Sequence, residues 1–310
     1  MRKAALVLAL ISALLLSAVG GTLAVRLGKA NPVLPTYIPK ITIKSDGSVN
    51  PETNYINRTG NTYTLTANLI DEYPIEILCS NIVFDGAGHC INITKADNLG
   101  LFLLGVSNVT VKNVQVFTSH GGIDLSSCSN CLITNIRNGD RYIHLGHSTF
   151  NTITQSVTKI SLLYSENNLI FRNNITELSV ILCFKNVFSQ NNILCNYIPH
   201  SYNNSTDQWD NGSIGNYWIN YKTKYPASEI GNTGIGNVSY LIDANNIDHH
   251  PLMYPFDIET GTIAYPTREI QPEPFPVAPV AAGVAVVAVV IVAAGLLLYN
   301  RKRRKEAQQE

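Results

Sequence analysis

The sequence predicts an all-β right-handed parallel β-helix, closed by a C-terminal aromatic cap and followed by one transmembrane helix. Three observations predict it. Short β-type segments recur about every twenty residues with an amide at the turn. A module rich in Trp and Tyr follows the last of them, and a twenty-residue run without charge lies near the C-terminus. No helical period intervenes among the recurring segments.

The N-terminus, MRKAALVLALISALLLSAVGGTLA, has a basic start, an apolar run from Ala4 to Val19, and small residues after it. Residues 1–24 are therefore expected to be a secretory signal peptide, cleaved after Gly20 or Ala24; a retained anchor is the alternative. Residues 25–59 are a lead-in and N-terminal cap.

Residues 60–200 carry the repeats. SNIVFDGAG (80–88), SNVTVKNVQV (107–116), SNCLITNIRN (129–138), FNTITQSVTK (150–159), NNLIFRNNIT (167–176) and KNVFSQNNIL (185–194) align with one another. Each alternates β-branched or aromatic residues and then returns to Asn or Gln. That second polar position falls at Asn113, Asn135, Gln155, Asn173 and Asn191, at spacings of 22, 20, 18 and 18. A drifting period of this size is the mark of stacked coils. Successive coils lie about 4.8 Å apart, so one column of amides can hydrogen-bond from coil to coil. Asn also tolerates the left-handed backbone of a tight corner. The rival is a β-sandwich, which the residue-level self-similarity and the scarcity of two-residue hairpin turns disfavour.

Residues 201–258 change character. Both tryptophans lie here, in WDNGSIGNYWINY and before GNTGIGNVSYLIDANNIDHHPLM. These motifs resemble the module that closes archaeal surface proteins with NosD-type β-helix domains, a family named for a periplasmic copper-binding protein. With the coils, the resemblance covers roughly 60–255. It implies a β-helix surface protein and, through the family name, copper handling. Gly231, Thr233, Asn237 and Asn220 stand where that module carries aspartates, leaving Glu229, Asp243 and Asp248 as the acids for Ca²⁺. The aromatic residues have two readings: a plug for the last coil, or a sugar-stacking platform on Trp209, Tyr217, Trp218 and Tyr221.

Residues 259–279 contain five prolines from Tyr265 onward and are expected to form a semi-rigid stalk. Val280 to Tyr299 has no charge and spans roughly 30 Å as a helix, matching a bilayer core. The basic tail of residues 300–310 places the C-terminus in the cytoplasm and the ectodomain outside. PEPFP at 272–276 also resembles a sorting signal, which would remove the span. Sequons at Asn57, Asn92, Asn108, Asn174, Asn203, Asn204, Asn211 and Asn237 agree with a glycosylated cell-surface protein. Without Arg2, Lys3 and the tail, 15 basic residues face 20 acidic ones, which excludes electrostatic binding of nucleic acid.

Chemistry-bearing residues are few. His120 and His144 lie about one coil apart, with His147 three residues further on, and the three are candidate copper ligands; only Met1 and Met253 offer thioethers. Six cysteines permit pairing, with Cys128–Cys131, Cys183–Cys195 and Cys79–Cys90 all open. For an enzyme acting on polysaccharide, Asp124 and Asp140 are the acids that neighbouring coils could bring together, but no tight acidic motif appears. The expected role is thus non-catalytic: binding a polysaccharide or surface-layer component, or spacing the envelope, with no resident cofactor. An enzyme and a copper accessory are the alternatives.

Overall fold

The computed structural model describes residues 40–71, 73–93, 100–118, 121–195 and 205–265. The chain winds through about seven turns of a parallel β-solenoid. One side is built from Ile41–Ile43, Ile75–Ile77, Leu101–Leu104, Ile123–Ser126, Arg137–Gly146, Val157–Leu163 and Asn174–Ile181, each paired in parallel with the next. A second side runs from Thr62–Leu65 through Val83–Asp85, Thr110–Lys112, Leu132–Thr134, Thr152–Thr154, Leu169–Phe171 and Phe184–Ser189 to Thr206–Gln208. Leu69–Ile70, Cys90–Ile93 and Gln115–Thr118 form a third side. From Arg137 onward the chain runs continuously from the third side into the first as one bent strand.

Alternation makes this geometry pay off, because every second side chain of a strand points inward. On the first side Ile123 and Leu125 stack on Ile143 and Leu145, then on Ile160 and Leu162, then on Leu178 and Val180, all fully buried or nearly so. On the second side the inward column is Tyr63, Phe84, Val111, Ile133, Ile153, Ile170 and Phe188, all 0 % exposed. Each such side chain contributes about 1.5–3 kcal/mol. A one-residue slip would turn a whole strand's apolar set to solvent, so the register is strongly specified.

The corners are left-handed. Asn113, Asn135, Gln155, Arg172 and Gln190 share one corner column, with φ between 50° and 58°. Asn135 Nδ2 donates to Asn113 Oδ1 at 2.7 Å, and Asn113 Nδ2 to Asp85 Oδ1 at 3.0 Å. The expected single column of Asn113, Asn135, Gln155, Asn173 and Asn191 is therefore corrected. Asn173 and Asn191 lie one position past the corner and point inward. The reason is coil length: Gln155 to Arg172 is 17 residues, so the 18-residue step to Asn173 overshoots by one.

Two amide ladders lie inside the solenoid. In one, Asn151 donates to Asn168 (3.1 Å), Asn168 to Asn186 (2.9 Å) and Asn186 to Asp207 (2.9 Å). In the other, Asn173 donates to Asn191 (3.0 Å), Asn191 to Asn216 (2.9 Å), and Asn216 N–H to Asp248 (2.8 Å). Each amide oxygen also accepts the preceding coil's backbone N–H, so buried polar groups are satisfied in both directions.

Both ends are closed. Val49–Asn50 and Ile56–Thr59 lie antiparallel across the first strands of two sides. The lead-in thus already contains a solenoid strand, Ile41–Ile43, before residue 60. At the far end the strand Asn246–Asp248 crosses both ladders, with Asn246 ending one and Asp248 the other. Residues 259–263, expected in the stalk, belong instead to a hairpin pairing Phe256–Asp257 with Thr262–Ile263. The signal segment 1–24, the span 280–299 and the tail 300–310 lie outside the described residues. Among the described residues no helix is long and apolar enough to cross a membrane.

Candidate functional site

The first side turns its alternate positions outward, and one outward row is polar. Asp124, His144, Ser161 and Ser179 occupy the same register position on four successive coils. With Gly121, Gly122, Ile123 and Tyr142 they line a cleft of about 290 Å³. Parallel strands hold these groups about 4.8 Å apart on a rigid sheet. Ser126 Oγ donates to Asp124 Oδ1 at 2.7 Å, and the His144 ring lies beside Gly146, whose missing side chain leaves it room.

The neighbouring outward row is Tyr142, Lys159 and Glu177. Tyr142 hydroxyl donates to Glu177, and Lys159 Nζ pairs with Glu177 Oε2 at 2.9 Å. Burial, reinforced by Glu177, pushes the Tyr142 phenol well above its ordinary range. The Tyr142 hydrogen bond and then Lys159 hold Glu177 below its usual value. Tyr142 is thus held neutral and Glu177 ionised, the opposite of what a tyrosine base and a carboxylic acid catalyst would need.

Asp124 and Asp140 do not come together. Asp124 faces His144, and Asp140 lies four residues earlier on that strand, exposed beside the bulge between Arg137 and Tyr142. The coil here is 20 residues long, so a 16-residue spacing cannot place two residues in one row. His144 and His147 also diverge: His147 sits at a corner, its ring stacked on Tyr164 at 5.0 Å. His120 lies outside the described residues. Among the described residues no three His, Cys, Asp or Glu side chains are grouped to hold a metal. Glu229 accepts from Gly234 N–H and Tyr254, Asp243 from Asn246, and Asp248 from Trp218, so the three acids suggested for Ca²⁺ are separately committed.

The cap aromatics are a plug. Phe188 stacks on Trp209 at 4.4 Å, and Trp218 on Tyr240 at 4.2 Å. Trp209 Nε1 donates to Asn246 and Trp218 Nε1 to Asp248. Trp209 and Tyr221 are 0 % exposed and Trp218 2 %, so these three offer no ring face to a sugar; Tyr217 is half-buried. Of the two readings, a plug or a platform on Trp209, Tyr217, Trp218 and Tyr221, the packing shows the plug, because indoles that seal the last coil are desolvated by doing so.

All six cysteines are free thiols; Cys128, Cys131 and Cys183 are buried. None of the open pairings forms. Burial pushes the Cys183 thiol up to about 11, which keeps it unreactive. Among the sequons, Asn57, Asn108, Asn211 and Asn237 are exposed, Asn92 and Asn174 are half-buried, and Asn203 and Asn204 lie outside the described residues.

Tyr142, Ser161 and Ser179 carry no local motif. The signal that could have found them is the coil step: Asp124 to His144 is 20 residues, then 17 to Ser161 and 18 to Ser179. Those steps repeat the corner spacings from Asn135 to Gln155, Arg172 and Gln190.

The fold and this outward row define the class: a capped parallel β-solenoid with a polar cleft on one side. Compared with known proteins, the chain matches no family model, no curated protein and no solved structure.

Proposed function

We propose that this chain is a non-catalytic, membrane-anchored cell-surface protein whose solenoid binds a saccharide chain along its first side. The observation that carries the reading is the polar row Asp124–His144–Ser161–Ser179, which offers hydrogen-bonding groups at one-coil spacing but only one carboxylate. Two carboxyl groups facing one bond are the usual requirement of glycoside hydrolysis. Glu177, the nearest other acid, is engaged by Tyr142 and Lys159. Hydroxyl, imidazole and carboxylate groups beside a tyrosine suit a polyol.

The signal-like leader, the apolar run 280–299 with its basic tail, and the exposed sequons support a surface location. The motifs GNYWINY and GNTGIGN support kinship with NosD-type archaeal surface proteins. Copper delivery, the role that name suggests, draws no support from the arrangement of His144 and His147.

The test uses the full chain in detergent against a panel of cell-wall and extracellular polysaccharides, scoring binding and product release together. The expected result is saturable binding, weakened about tenfold by Asp124→Asn together with His144→Ala, without product. Product release would replace this reading with an enzyme. Absence of binding across the panel would replace it with an envelope spacer.

A further inference from the structure

Two corner columns change residue type beside the cleft. The first holds Gly105 and Ser127 in the early coils, then His147, Tyr164 and Leu182, with φ of 50°, 49° and 53°. The second holds Asn81, Asn108, Asn130, Phe150, Asn167 and Lys185, with Phe150 and Lys185 both at a φ of 58°. Bulky side chains rarely adopt this backbone, and Gly or Asn is the ordinary choice. Burial does not explain the exchange: Phe150 is 59 % exposed and Tyr164 52 %, with Phe184 nearby at 41 %. Gln155, Arg172 and Gln190 share this backbone at another corner, so what sets this corner apart is that its rings are exposed beside the cleft.

These rings stand three residues beyond the cleft on the same coils, His147 after His144 and Tyr164 after Ser161. At about 3.3 Å per residue, the two rows run parallel about 10 Å apart. Gly146 and Leu163 form the strip between them. One edge of the strip presents hydroxyl, imidazole and carboxylate groups; the other presents aromatic rings. The residues lining the cleft include no Lys or Arg.

We infer that the corner formed by Phe150, Tyr164 and His147 is a stacking subsite that completes the cleft, and that its ligand is an uncharged glycan lying along the solenoid axis. This rests on the reading of the first side as a saccharide site. Sugar rings have apolar faces and hydroxylated edges, so a chain on this strip stacks on the corner while its edge meets Asp124, His144 and Ser161. An acidic polysaccharide would meet Asp124 in a cleft lined by no cation; Lys185, two coils beyond Phe150 in its corner column, lies outside that lining.

Calorimetry on the full chain in detergent tests this with neutral gluco- and galacto-oligosaccharides and with oligogalacturonate. Phe150→Asn combined with Tyr164→Asn installs the residue that suits a left-handed corner, so the fold is retained. The variant is expected to bind the neutral ligand at least about tenfold more weakly, with a thermal midpoint equal to or above that of the natural chain. Affinity within about twofold of the natural chain, with binding still lost on Asp124→Asn, overturns the subsite and leaves the saccharide reading standing. Tighter binding of oligogalacturonate overturns the ligand class. No binding of any saccharide by the natural chain removes both.

Discussion

Asp248 is fully buried and accepts hydrogen bonds from Trp218 Nε1, Asn216 N–H and His250 N–H. Burial outweighs these donors and raises its carboxyl to about 7, and burial likewise raises Asp207 to about 6. In the unfolded chain such groups titrate near 3.8. Between those values the folded protein holds protons that the unfolded chain has released. Stability from these two groups is therefore greatest below about pH 4 and falls as pH rises toward 7. Denaturant titrations at pH 4.5 and 7.5 should show a loss on the order of 5 kcal/mol, and Asp248→Asn should flatten the slope. A slope unchanged in the variant would refute the assignment. Gly215 is the other decisive residue, since a Cβ there would lie 1.8 Å from Asp248 Oδ1. Gly215→Ala should cost about 1–3 kcal/mol in urea unfolding, whereas an unchanged midpoint would mean the cap can move aside.

At the scale of elements, the inner ladders and the outer corner have different energetic weight. Asn173 is fully buried and satisfies Ser156 N–H, two carbonyl groups and Asn191. Its truncation to Ala leaves those groups without partners and should destabilise by about 1–3 kcal/mol. Asn135 sits at an exposed corner with a φ of 51°, so Asn135→Gly should change stability by no more than about 0.5 kcal/mol. Equal effects of the two substitutions would erase the distinction. From sequence the two kinds of amide look alike. Arg172–Asn173 and Gln190–Asn191 are adjacent polar pairs, and only the coil length says which member turns and which points inward.

Across the whole molecule, a solenoid couples only neighbouring coils, so its two ends can lose structure separately. Both tryptophans lie in the cap, which makes fluorescence a reporter of that end alone, while far-UV circular dichroism follows the coils. Because the two raised carboxylates also lie at that end, the fluorescence transition should precede the dichroism transition in urea at pH 8. The two should converge at pH 5. Coincident curves at both values would indicate one cooperative unit instead.

The sequence alone determined the strand-and-corner repeat, its drift in length and the aromatic closure. Those features follow from local chemistry: alternation sets which side chains turn inward, Asn tolerates the corner, and an open stack needs a lid. It misplaced what depends on the exact step between coils. Sequence spacing allows Asp124 to approach Asp140 at 16 residues, while the 20-residue coil pairs it with His144. The tryptophans were offered to solvent as one reading, and their burial against Phe188, Tyr240 and the Asn246–Asp248 strand emerged only from packing. Phe150 and Tyr164 carry no sequence signal, because their exposure beside the cleft follows from where the coils place the corners. Stacking converts a residue's position along the chain into a row across coils, and an error of one residue in that conversion moves a side chain from the core to the surface.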